Sequence, residues 1–222
     1  MPAVLLDVDG TLIASNEAHA KAWARALDAY GYAVPAERIL GWIGMGGGKI
    51  LKRIDPRLDS ETGVGASVGQ LRLRLFLGEY LPQLHPTNGA RALLERLRES
   101  HLQRVVATSA KKDELDALLR QAGIEDQIDL AVTSDDVARS KPDSDVVHVA
   151  LAKASRRPDQ AVYVGDTPYD IEAAHGAGVA TIAVRSGGWT DSALASAEAI
   201  YEDPADLLAH FDVSPLIRLC RP

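Results

Sequence analysis

The chain has 222 residues, 46% of them hydrophobic and 25% charged, with a formal net charge of -7. That length supports one large core, or a core carrying a smaller insert, and the acidic balance argues against a nucleic-acid partner, which needs a basic surface. Cys220 is the only cysteine, so no disulfide forms within the chain and a reducing compartment fits; no apolar run nears the ~20 residues of a membrane span.

Ala3 to Leu6 form a short apolar run suited to a buried parallel strand. It starts too early to leave room for a signal peptide, and a cytoplasmic protein without a membrane partner is expected. The run ends at Asp7-Val8-Asp9-Gly10. Two carboxylates one residue apart, each at a strand's end, project into one crevice. Gly10 lets the backbone turn without a Cβ. Such close acids repel unless a cation or a proton is shared, and a divalent metal is the natural remedy. The same residues also fit a plain strand-to-turn junction with exposed acids.

Ser15 or Asn16 is expected to cap a helix running to about Tyr30, ended by Gly31, with Trp23, Leu27 and Tyr30 on one face. A weak helical turn follows Pro35. Gly41 to Lys49 is the most glycine-dense stretch, but Ile43 and Ile50 break the P-loop spacing, and Lys49 breaks the dinucleotide one. It reads as a flexible loop whose peptide N–H groups can approach a ligand, or as a simple connector. Residues 66 to 81 look helical. With no strand-like run from Ser15 to Gln83, residues 15–83 form an all-helical insert, and Leu84 to Pro86 its return hinge.

From there helices and strands alternate. Strands are expected at 105–108, 130–133, 161–164 and 181–184, and helices at 88–98, 113–122, 144–154, around 171–174 and after Asp203-Pro204. The expected class is α/β, a Rossmann-like doubly wound parallel sheet over residues 1–14 and 84–222, with the helical insert between.

Ligands of such sheets sit beyond the carboxyl ends of the strands. Those ends carry Asp7 and Asp9, then Thr108 and Ser109, then Lys141, then Asp166 and Asp170. Hydroxyl, ammonium and carboxylates together suit a phosphate bound beside a divalent cation. Singly, each has a plainer role: strand threonine, solvated lysine, helix-capping acids. Their recurrence on successive strands favours one shared site.

Asp7-Val8-Asp9-Gly10-Thr11-Leu12, Thr108, Lys141-Pro142 and Val164-Gly165-Asp166-Thr167-Pro168-Tyr169-Asp170 resemble, in order, the four motifs of the haloacid dehalogenase superfamily of phosphohydrolases. The insert resembles the cap of phosphoglycolate phosphatases and beta-phosphoglucomutases. The resemblance implies Asp7 as nucleophile forming an aspartyl-phosphate, and Asp9 as general acid and base. It implies Mg2+ on Asp7, the backbone carbonyl of Asp9 and Asp166, with Asp170 as ligand or support. Thr108 and Lys141, with Ser109 beside them, would hold the phosphoryl oxygens.

His19, Trp42, Met45 and Lys49 are the cap residues most open to a substrate role, and Trp23 reads as core packing. His19 aligns with a histidine near the acid/base carboxylate of the mutases. The mutases' cap-loop arginine is missing here, which favours a phosphatase, and Ala14 replaces the usual acid before Ser15. Gly187-Gly188-Trp189 either borders the cap or makes a turn with a packing tryptophan.

The expected enzyme is thus a Mg2+-dependent phosphatase of a small phosphorylated metabolite such as phosphoglycolate or a sugar phosphate, a monomer or weak homodimer. A phosphomutase of the beta-phosphoglucomutase type is the alternative. A receiver-like signalling module shares the residue types, but it phosphorylates after a later strand and lacks the insert.

Overall fold

The computed structural model describes residues 1–220. Six parallel strands, β1 (Ala3–Leu6), β2 (Gln103–Ala107), β3 (Leu130–Val132), β4 (Ala161–Gly165), β5 (Ala180–Val184) and β6 (Ala199–Tyr201), form one sheet in the order β3-β2-β1-β4-β5-β6. The helices are α1 (Asn16–Asp28), α2 (Ala36–Leu40), α3 (Gly47–Ile54), α4 (Gly63–Leu75), α5 (Ala90–Glu99), α6 (Lys112–Ala122), α7 (Asp145–Ala154), α8 (Pro168–Gly176), α9 (Asp191–Leu194) and α10 (Pro204–Ala209). This is the doubly wound Rossmann-like class with an all-helical insert between β1 and β2.

Alternation along β1 explains the layering. Val4 and Leu6 pack with Leu93, Leu94 and Leu97 of α5, Leu115 and Leu118 of α6, and Leu207 of α10. Ala3 and Leu5 face the other way, onto Val147, Ala150 and Leu151 of α7 and Ala173 and Ala174 of α8. A strand buried on both faces reads as a continuous apolar run. The order reverses between β1 and β4, where Leu6 registers with Val106 on one side and Val164 on the other. A crevice opens at such a switch point, beyond the strand ends.

β6 is a strand that the sequence pattern did not mark. Its three residues are only half-buried at the sheet edge, and its pairing with β5 through Ile182 and Ala199 needs no apolar run. α10 matches expectation, with Asp203 Oδ1 accepting from the Asp206 amide at 2.9 Å and Pro204 at the first position.

The insert has its own core of Trp23, Leu27, Ile39, Ile50, Leu51, Leu58 and Val68. Tyr30 departs from its expected place on that face: α1 stops at Asp28, Gly31 takes a φ of +82°, and the Tyr30 ring is left exposed. The helix expected over 66–81 begins at Gly63, and beyond Leu75 it widens into a π-turn and a 3-10 turn containing Pro82. The two crossings into the insert lie side by side. The Ala14 amide donates to the His85 carbonyl at 3.1 Å, and the Thr87 amide to the Leu12 carbonyl at 3.0 Å. No helix among the described residues is long and apolar enough to cross a membrane.

Candidate active site

At the end of β1 the Asp7 carboxylate is buried, and Oδ1 accepts a hydrogen bond from Lys141 Nζ at 2.7 Å. The same ammonium donates to Asp170 Oδ1 at 2.7 Å. The Tyr163 hydroxyl of β4 lies 3.1 Å from that oxygen and 2.8 Å from the Ala107 carbonyl, tying the pair to β2. Asp170 Oδ2 accepts from the amide and the hydroxyl of Thr167, closing the capping box that starts α8. Asp166 accepts from Thr11 Oγ1 at 3.0 Å and from Asn16 Nδ2 at 2.8 Å. Asp7, Asp166 and Asp170 each have a carboxylate oxygen within 4.8 Å of the others.

Three buried acids share one lysine, and the electrostatics register the shortage. Burial, then the neighbouring Asp170 charge, push the Asp7 carboxyl up to about 7, against the pull of Lys141. Asp166 is raised well above the usual carboxylate range by burial and by Asp170 and Asp7. Burial works against the Lys141 charge, yet Asp170 and Asp7 overcome it and hold its protonation well above the ordinary lysine range. Asp7 Oδ2 is buried and has no hydrogen-bond partner. An orphaned oxygen among three clustered carboxylates is what a hard, oxygen-seeking divalent cation such as Mg2+ requires. Asp170 and Asp166 both have their two oxygens engaged by protein donors, and Asp170 alone of the two also holds Lys141.

Two glycines make room for this nest. Gly10, at φ +76°, and Gly187 each lie so close to the Asp166 carboxylate that a Cβ on either would collide with it. Gly187 therefore belongs to the acid cluster, while Gly188 beside it has open space.

Asp9 points elsewhere. Its Oδ1 is 2.7 Å from His19 Nε2 and accepts from Ser15 Oγ at 2.5 Å. Burial raises its pKa, but His19 and Ser15 outweigh that and hold it below the ordinary value. Its side chain is outside the three-acid group. Ser15 and Asn16, expected to cap α1, make no side-chain cap at all; their side chains serve Asp9 and Asp166 instead.

Asp7, Asp9, His19, Thr108, Ser109 and Lys141 all line one cleft between core and insert. Thr108 is buried at the end of β2, its hydroxyl accepting from the Ala110 amide. Ser109 Oγ donates to the Gly44 carbonyl at 3.1 Å, bridging to the insert. Met45 lines the cleft too.

Lys49 and Trp42 do not. Lys49 Nζ donates to the Ser140 carbonyl and to Asp143 Oδ2, each at 2.6 Å, and so ties the insert to the core outside the cleft. The nearest anion available to it is a core aspartate, which captures the charge. Trp42 lies beneath the Arg38 guanidinium and packs on the insert's core. The glycine stretch is not a free loop throughout: α3 already begins at Gly47, and Gly44, Gly46 and Gly47 press against Thr167, Ser140 and Trp23, while Ile43, Gly44, Met45 and Gly47 border the cleft.

Sequence reasoning missed a pair that lines the cleft's far wall. Arg72 of α4 makes a two-pronged ion pair with Glu114 of α6, with Nη2 3.2 Å from Oε2. The guanidinium covers the Trp23 ring at 5.2 Å, and Glu114 Oε1 comes within 3.7 Å of His19 Nδ1. His19 itself stacks on Phe76, centroids 3.8 Å apart. Arg72 and Glu114 stand 42 positions apart, and each read alone as a charge on a solvated helix face.

The chain matches the family described as Haloacid dehalogenase-like hydrolase over residues 4–184. It is 32% identical to a phosphoglycolate phosphatase of Rhodospirillum rubrum over 92% of this chain and 88% of that one. It is 29% identical to the validoxylamine A 7'-phosphate phosphatase of Streptomyces hygroscopicus subsp. limoneus, over 90% and 92% respectively. A hydrolase from Pseudomonas syringae superposes with a TM-score of 0.88 at 30% identity, covering 96% of this chain and 99% of that one.

Proposed function

The chain belongs to the haloacid dehalogenase-like hydrolase family and is a phosphatase enzyme, a phosphoric monoester hydrolase; from that premise we propose that it hydrolyses a small phosphorylated metabolite, of the phosphoglycolate or sugar phosphate type, through an aspartyl-phosphate on Asp7. The observation that carries this is the unpartnered Oδ2 of Asp7, buried at the cleft floor between a lysine and two further acids.

Asp7 supplies the attacking oxygen, with Lys141 setting the carboxylate's orientation through Oδ1. Thr108 and Lys141 stand where phosphoryl oxygens gather negative charge, and Ser109 borders them. Asp9, ionised in the free site, takes up a proton as the substrate binds and hands it to the leaving oxygen, then takes one from the water that attacks the intermediate. His19 and Ser15 aim that carboxyl. Asp7, the Asp9 carbonyl and Asp166 would hold Mg2+, with Asp170 bracing Lys141 and the start of α8. When bound, the ion supplies Lewis-acid charge neutralisation at the phosphoryl group. Residues 15–83 act as the cap, closing over the core of residues 1–14 and 84–222 to exclude water.

The contact between His19 and Asp9 is the one feature that also suits a phosphomutase. Phosphate release from monoesters with Mg2+ but not with EDTA, needing no bisphosphate activator, supports the phosphatase. Asp7→Asn, checked for deamidation, should lose about 10³-fold or more in kcat. Acid-quenched enzyme should carry hydroxylamine-labile phosphate that the variant lacks. Turnover by the variant at the wild-type rate would dismiss Asp7 as nucleophile.

A further inference from the structure

Within the phosphatase reading, the charge balance of the cleft's far wall bears on which substrate fits. The floor holds Asp7, Asp9 and Lys141, and the far wall, where a leaving group lies, holds Trp23, Ile43, Met45, Ile50, Arg72 and Glu114. Arg72 is the one permanent cation that the insert contributes to the lining, since Lys49 is bound to Asp143 outside it; His19, also in the lining, lies against Asp9 and Glu114. Its two terminal nitrogens are committed to Glu114 and its face to Trp23. Its Nε is buried without a partner. Glu114 is almost wholly buried and held in the first turn of α6, whose helix N-terminus favours a negative charge.

We infer that the buried Arg72–Glu114 pair selects a neutral, hydroxyl-bearing leaving group, a polyol or sugar monophosphate, and rejects leaving groups that carry their own negative charge. The physical reason is direct. A carboxylate or second phosphate entering this wall would lose its water, find no cation free of a carboxylate partner, and face the Glu114 carboxylate in a poorly screened site. A hydroxyl suffers no such penalty and can donate to a Glu114 oxygen. Glu114 is thus a specificity-determining residue, and the inference rests on the reading of the protein as a phosphatase.

The test measures kcat/KM with Mg2+ for glycerol 3-phosphate, glucose 6-phosphate, phosphoglycolate and pyrophosphate, with p-nitrophenyl phosphate as a general phosphatase control. The better of the two polyol esters should exceed phosphoglycolate and pyrophosphate at least tenfold. Glu114→Gln, which unmasks the Arg72 charge, should narrow that ratio at least tenfold by raising turnover of phosphoglycolate. Should the variant fold poorly, inhibition of the wild type gives the same answer: glycerol should inhibit more strongly than glycolate. Preference of the wild type for phosphoglycolate or pyrophosphate overturns the inference while leaving the phosphatase reading intact. So does an equal effect of Glu114→Gln on both classes. Failure to release phosphate from any of the five compounds overturns the phosphatase reading, and the selectivity with it.

Discussion

Asp9 Oδ1 and His19 Nε2 lie 2.7 Å apart, joining the loop after β1 to the first helix of the insert. Because Ser15 and His19 together hold Asp9 below the ordinary carboxyl pKa, the carboxylate accepts and the imidazole donates. Phe76 stacks on the ring and keeps it in that plane. His19→Ala should therefore lower kcat by about 10- to 100-fold, at the low end of what a positioned proton donor contributes. Mg2+ affinity, read by titration of the same variant, should stay near wild type, since the metal's acids are elsewhere. A large loss of Mg2+ affinity would place His19 in a different role.

The acid cluster makes stability depend on pH with an unusual sign. An ordinary Asp has a pKa of 3.8, whereas folded Asp7 titrates at about 7 because burial and Asp170 disfavour its charge. Between those values the folded state keeps a proton that the unfolded state has lost. The contribution of Asp7 to stability thus falls as pH rises through that window and levels off above it. Asp166 acts in the same direction. Mg2+ held at these carboxylates, as proposed, would need them ionised, so its stabilisation should be greater at pH 8 than at pH 5, by about 5 °C in Tm. Metal-free Asp7→Asn should melt above the wild type at pH 8, with the gap closing toward pH 5. Equal Mg2+ shifts at both pH values would place the ion away from these carboxylates.

Gly187→Ala puts a methyl group into the Asp166 carboxylate. Asp166 must swing away, taking with it the oxygens that Thr11 and Asn16 hold. The expected result is a Mg2+ affinity lower by about tenfold or more, the scale seen when ligand-orienting contacts are lost. A matching change at Gly188, which has open space around it, should leave Mg2+ affinity alone despite its φ of +87°. Isothermal titration of the two variants separates local crowding from general damage to the turn.

The Lys49–Asp143 bridge spans insert and core while both side chains stay about one-third exposed. At that exposure the coupling should be about 0.5–1 kcal/mol in a double-mutant cycle of thermal stability, and should shrink with added salt. Lys49→Met should change KM less than about threefold, because the ammonium does not line the cleft. A tenfold rise in KM would bring Lys49 back into substrate binding.

The layered core was legible because its strands are buried on both faces, so their residues form unbroken apolar runs such as Val105-Val106-Ala107. The acids and Lys141 were legible for a related reason, since polar groups stand out at the ends of such runs. What stayed hidden lacked a local signal. Tyr163 reads as one more apolar strand residue until its hydroxyl reaches Asp170. Asn16 and Ser15 carry the marks of a helix cap, but the nearby acids outcompete the helix's own amides for them. Arg72 and Glu114 meet only when α4 folds against α6, and no spacing within either helix announces the partner.

The bonds from Asn16 to Asp166 and from Ser15 to Asp9 have a bearing on protein engineering. Residues at the foot of α1 would be counted with the insert by any cut made at the end of β1, yet they hold Asp166 of the proposed metal nest and Asp9, the proposed proton donor. A chimera that exchanges this helical module for a relative's must keep positions 15, 16 and 19 with the recipient scaffold. Otherwise, the graft imports a foreign lid and dismantles the chemistry beneath it.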